Sequence, residues 1–92
     1  MDPLEAKMAE LAARFAGRAG EERAALVQAL ANGDRSALRD RAHKLAGIAA
    51  MFGFPAIGEA ALALELAAEN GEDLETPTKA LDVLLAGISL GD

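Results

Sequence analysis

Apolar residues recur along this chain at alternating intervals of four and three, the spacing that lines them up on one side of an α-helix. The pattern is clearest in Leu38, Ala42, Leu45, Ala49 and Phe52. It returns in Leu4, Met8, Leu11 and Phe15, and again in Ile57, Ala61, Leu64 and Ala68. Each set gives its helix one apolar stripe, which is buried only when helices pack against one another. Composition points the same way. Ala, Leu and Glu are abundant while Val, Ile and Thr are scarce, a bias toward helix over sheet.

Start and stop signals divide the chain further. Asp2-Pro3-Leu4-Glu5 opens a first helix: Asp2 suits a cap, Pro3 the first helical position, and Glu5 completes a capping-box pattern. Gly17 and Gly20 are expected to loosen or end it. A second helix is predicted over about residues 21–31, with Arg23, Leu26, Val27 and Leu30 facing inward and Asn32-Gly33 as its stop. Asp34 then caps a third helix over about residues 35–52. Gly53-Phe54-Pro55 breaks the chain, and Pro55 starts a fourth helix, with Leu62 and Leu66 beside its inner stripe and Asn70-Gly71 at its end. After an acidic loop at residues 72–75, Thr76-Pro77 is expected to cap a last helix carrying Leu81, Leu84, Leu85 and Ile88 on one face. Short turns make neighbouring helices antiparallel. The expected architecture is therefore all-α: an up-and-down four-helix bundle with an additional N-terminal helix packed against one end. Its 92 residues make one domain, residues 1–92, with a single modest core.

The same composition narrows function. There is no cysteine, which excludes disulfides and Cys-based metal sites. No apolar run approaches the ~20 residues of a membrane span, and the acidic start lacks a basic, apolar leader, so a cytoplasmic protein without a membrane partner is expected. A net charge of −6 argues against nucleic acid as a partner. That charge is uneven: residues 1–44 sum to +1 and residues 45–92 to −7. The basic excess peaks at Arg35, Arg39, Arg41 and Lys44, around the single histidine, His43.

His43 falls one residue beyond the seam position Ala42, which turns it about 100° to the edge of the apolar stripe. Its same-face neighbours are Ser36, Arg39 and Asp40 on one side and Ala46, Gly47 and Ala50 on the other. Gly47 is costly inside a helix, by ~1 kcal/mol relative to Ala. Together with Ala46 it leaves open space beside the ring, room for another protein's active site to approach. A neutral imidazole presents one nitrogen able to attack at physiological pH. Arg39, one turn before it, and Lys44, on a flexible stem, are candidates to contact a phosphoryl group. Arg39, Asp40, His43, Ala46, Gly47 and Ala50 form the candidate docking face.

His43-Lys44-Leu45-Ala46-Gly47, followed by Phe52-Gly53-Phe54, resembles the histidine-containing phosphotransfer (HPt) family. The family core reads His-x-Leu-Lys-Gly with a second Gly ten positions after the His; His43, Leu45, Gly47 and Gly53 match it, and Leu64-Glu65 fits the next helix. The likeness covers nearly the whole chain. It implies that His43 is phosphorylated and relays a phosphoryl group between aspartates of response-regulator receiver domains in a two-component phosphorelay. It implies partnership with those receivers and with a hybrid histidine kinase. The protein itself would be a phosphocarrier, not an enzyme, with no cofactor or metal of its own, Mg²⁺ belonging to the receiver. A complete bundle suggests a monomer. Two positions depart from the pattern: Ala46 replaces the usual Lys, and Ile48 stands where a small or hydroxyl residue is common.

Other readings of these residues run alongside. Gly47 can serve as a helix–helix contact, Arg35, Arg39 and Arg41 as a solvated face, and Glu65 and Glu69 as surface charges; Phe52 and Phe54 read as core. The rival function is a non-phosphorylated helical adaptor that binds a receiver domain or kinase. An acyl carrier would need a Ser in an Asp-Ser-Leu context, which neither Ser36 nor Ser89 provides.

Overall fold

The computed structural model describes residues 2–89. They form four helices: α1 (Pro3–Ala31), α2 (Arg35–Phe52), α3 (Pro55–Glu69) and α4 (Glu75–Ile88). Each packs on the next and α4 closes the ring against α1, so the architecture is an up-and-down four-helix bundle. The expected stripes meet along its axis. Leu38, Ala42, Leu45 and Ala49 of α2 are buried, as are Ile57, Ala61, Leu64 and Ala68 of α3 and Leu81 and Leu85 of α4. Phe15 of α1 stacks obliquely on Phe54, with ring centroids 5.4 Å apart.

The additional N-terminal helix is not a separate element. α1 runs unbroken through Gly17 and Gly20 for 29 residues. Two glycines cost a helix ~1 kcal/mol each, but Phe15 before them, Ala19 between them and Leu26 after them share one buried stripe. Interrupting the helix would expose that stripe, so packing outweighs local propensity. The 29 residues span ~44 Å against ~27 Å for the 18 of α2. The first turns of α1 therefore overhang the bundle, which leaves Leu4 69% exposed. Val27, expected to face inward, is also exposed, while Arg23 reaches Asp82 of α4 at 2.9 Å. Leu62 and Leu66 lie at the rim of their helix's apolar stripe and are about half exposed.

The caps largely follow the sequence. Asp2 accepts from the Leu4 N–H at 2.7 Å, and Asp34 accepts from the Ala37 N–H at 3.0 Å. Gly53 closes α2 in the left-handed conformation (φ 82°), which explains a glycine at that position under any reading of function. The start of α4 differs from expectation. Thr76 and Pro77 lie within its first turn, Leu74 holds the cap position without a side-chain bond, and the residue before it, Asp73, supplies the carboxylate that accepts from the N–H groups of Glu75 and Thr76 at 3.2 and 3.1 Å.

α2 and α3 form the most extensive helix pair. Small residues permit it. A methyl group added at Gly58 would already touch the carbonyl of Ala46 at 3.7 Å. Close approach of these two backbones sets the positions of the side chains at their shared edge.

Candidate functional site

His43 follows the fully buried Ala42 on α2, and Glu65 follows the fully buried Leu64 on α3. Each is thus rotated one step out of the seam. Because the helices are antiparallel neighbours, the two side chains meet at the same edge. Nδ1 of His43 lies 2.8 Å from Oε2 of Glu65. The exposures are unequal: 74% for the imidazole side chain and 15% for that of Glu65. A carboxylate only accepts, so the pair assigns the proton to Nδ1 and leaves Nε2 as the ring's free lone pair.

Around this pair lies an open depression of about 340 Å³ lined by Arg39, Asp40, His43, Lys44, Glu65 and Glu69. Arg39 is occupied. It donates to Asp40 through Nη2 at 2.8 Å and Nε at 3.2 Å. The hydrogen bond and charge of Asp40 raise the Arg39 pKa above its ordinary value, with Glu69 and Glu65 adding to the effect. Lys44 makes no hydrogen bond or ion pair with the described residues.

C-terminal to His43 the surface is bare. Gly47 is exposed, and a Cβ there would meet nothing within 4 Å. That removes the helix–helix contact as its role and leaves the access role standing. Ala46 and Ala50 line a shallow, mostly apolar depression of about 580 Å³ with Gly53, Pro55, Gly58 and Leu62, and Glu59 is its one charged residue. The expected face therefore divides into a charged half with Arg39 and Asp40 and an apolar half with Ala46, Gly47 and Ala50, with His43 between them.

The basic cluster read from the sequence does not converge on His43. Arg35 donates to the carbonyls of Ala67, Ala68 and Glu72 at 3.1, 3.3 and 3.1 Å and so caps the end of α3. Arg41 pairs with Glu22 of α1 at 2.9 Å. Both are structural rather than a solvated face. Glu65, read as a surface charge, is instead the direct partner of His43. Its signal was present: it is the one charged side chain among residues 60–68, and it stands in the same phase after a buried leucine as His43 does after Ala42. Among the described residues, no group of three or more His, Asp or Glu is placed to hold a metal ion. No helix among them is long and apolar enough to cross a membrane.

Residues 10–89 match the family model of the Hpt domain. The chain belongs to the Hpt domain family. Comparison with curated proteins and with solved structures returned no match. Hpt domains are helical bundles that act as phosphocarriers in phosphorelays, where they interact with receiver domains and kinases. This Hpt domain matches from Glu10 onward, so the overhanging first turns of α1 precede the family region.

Proposed function

We propose that His43 is the phosphorylated residue, taking a phosphoryl group from the aspartyl phosphate of one receiver domain and delivering it to the aspartate of another. The observation that carries this reading is the 2.8 Å hydrogen bond from Nδ1 to Glu65. With its proton held at Nδ1, the ring directs the Nε2 lone pair outward to solvent, where an in-line attack on phosphorus can occur. The N–P bond forms as the P–O bond to the donor aspartate breaks, and the aspartate leaves as a carboxylate. The ring then carries a positive charge shared between its nitrogens. Glu65, already bonded to the Nδ1 proton, stabilises that charge without moving a proton. Return transfer reverses the same steps.

Gly47, Ala46 and Ala50 provide the flat approach, and Asp40 borders it. Ala46 stands where the family's lysine is usual, so the phosphoryl oxygens draw on other cations. Lys44 is uncommitted and borders the His43 depression. Arg39 contributes by exchanging one acceptor, Asp40, for another. The protein acts as a carrier, since the receiver brings the Mg²⁺ and most of the catalytic groups.

The test is incubation of the full chain with a phosphorylated receiver domain, beside a His43→Ala variant. An acid-labile, base-stable label on the wild type alone is the expected result. Label on both proteins would place the phosphoryl group elsewhere. Receiver binding without label would favour the adaptor role.

A further inference from the structure

The register that joins His43 to Glu65 continues along the same edge. Arg39 lies one turn before His43 on α2, and Glu69 lies one turn after Glu65 on α3. The helices are antiparallel, so Arg39 and Glu69 form the next rung. The rung beyond it keeps the register, since Arg35 bonds to the Glu72 carbonyl. Arg39 and Glu69 both line the His43 depression and a second one, of about 410 Å³, toward Arg35 and Ser36. Yet the Arg39 guanidinium does not bond across its rung. It donates from Nη2 and Nε to one oxygen of Asp40, its neighbour in sequence. Glu69 has no bonded partner among the described residues, and Arg39 feels its charge.

The charges around His43 are therefore spoken for before a phosphoryl group arrives. Two cations and three carboxylates line the depression. Glu65 faces the ring proton, Asp40 occupies Arg39, and the charge of Glu69 offsets that of Lys44. Ala46, where the family's lysine is usual, adds no charge. A phosphoryl group brings about two negative charges at neutral pH. Its oxygens are best matched by a guanidinium fork. Here that fork is filled by one carboxylate and faced by another. The Arg39 side chain is 48% exposed, and an exposed ion pair is weak, so it can turn. It turns only by giving up Asp40 within the field of Glu69.

We propose that Glu69 and Asp40 together hold Arg39 off the phosphoryl group, and that this sets the transfer equilibrium toward giving the group up to a receiver aspartate. Glu69 is a positioning residue that acts through Arg39. The inference rests on phosphorylation of His43 and adds the direction in which the carrier is poised. In the donating step a carboxylate oxygen of the receiver attacks phosphorus. The P–N bond to Nε2 breaks, and its electron pair returns to Nε2 as the lone pair. The Nδ1 proton stays on the ring, bonded to Glu65. Departure of the phosphoryl charge relieves its repulsion by Asp40 and Glu69 and returns Arg39 to Asp40. An equilibrium constant depends only on the end states, so the way the partner docks does not enter it. That separates this role from any part the same face has in binding the receiver.

The test mixes the full chain with one receiver domain at fixed concentrations, starting once from the phosphorylated receiver and once from the phosphorylated chain. The label on each protein is counted when the two mixtures converge, and urea unfolding checks that each variant is folded. Glu69→Gln should raise the ratio of phosphohistidine to aspartyl phosphate by about three- to tenfold, and Ala46→Lys, which adds a cation beside the ring, by at least about tenfold. Glu69→Asp, which keeps the charge, should stay near the wild type. In an Arg39→Ala background, Glu69→Gln should change the ratio by less than about twofold. A labelled wild type whose ratio is unmoved by Glu69→Gln would overturn this proposal and leave phosphorylation of His43 standing. A Glu69→Gln shift that persists in full without Arg39 would also overturn it, by making Glu69 a direct repeller of the phosphoryl group. A wild type that takes no label would remove phosphorylation of His43 and this proposal with it.

Discussion

His43 and Glu65 are joined at 2.8 Å across the α2–α3 edge, yet the imidazole is open to solvent and the carboxylate is largely covered. The covered partner fixes the ring and the exposed partner reacts. Removing the carboxylate should therefore impair reactivity more than folding. A hydrogen bond to a charged group contributes about 1.5–3 kcal/mol, so Glu65→Ala should slow phosphoryl transfer by about 10- to 100-fold if that stabilisation is felt in the transition state. Ring ¹⁵N spectra at a pH where the imidazole is neutral should show the Nδ1–H tautomer in the wild type and a mixture in the variant. Unchanged transfer together with an unchanged tautomer would remove Glu65 from the mechanism.

Gly47 separates stability from access. A Cβ there meets no atom within 4 Å, so Gly47→Ala should stabilise the domain by about 0.5–1 kcal/mol through helix propensity alone. Gly47→Gln should also stay folded, but its longer side chain stands in the path to the imidazole and should slow transfer sharply. Urea unfolding and a transfer time course on both variants check this. A Gly47→Gln protein that transfers at the wild-type rate would sink the access argument.

The bundle was legible in the sequence because its stripes are periodic and its stops are sharp. Leu38, Ala42, Leu45 and Ala49 are buried as their spacing requires, and Asn32-Gly33 and Gly53 end helices where expected. The break at Gly17 and Gly20 failed because local propensity says nothing of the stripe on either side. The site was half legible. His43 and Gly47 stand out within one helix, where spacing is geometry. Glu65 and Arg35 act across helices, and pairing between segments depends on a register that one helix's period does not contain.

In the sequence Arg35 belongs to a basic patch; in the fold it is a cap in trans. From the first turn of α2 it donates to two carbonyls at the end of α3, Ala67 and Ala68, and to Glu72 beyond it. These acceptors lie where a helix's own donors run out and where its dipole is negative. Arg35→Ala should cost about 1–2 kcal/mol, discounted for partial exposure. Arg35→Lys should recover little, since one ammonium group cannot span three carbonyls as the planar fork does. Midpoints of urea unfolding for the three proteins decide it, and full recovery by lysine would show that charge alone matters.

Asp73 makes the start of α4 sensitive to acid. Its carboxylate accepts hydrogen bonds from Thr76 and Glu75, and those bonds, Thr76 first, hold its pKa below the ordinary value of 3.8. A carboxylate whose pKa is depressed by folding stabilises the native state at pH values above its unfolded pKa. That contribution fades as the pH falls from about 3.8 through the lower folded value, where the proton returns and the acceptor is lost. Asp73→Ala should therefore melt below the wild type at neutral pH, and the gap should close on acidification through that window. Asp73→Asn, which keeps an acceptor but cannot titrate, should lie between them at neutral pH and show no such closing against Asp73→Ala. A gap between wild type and Asp73→Ala that stays constant down to about pH 2 would mean that the cap acts through shape and not through its ionised form.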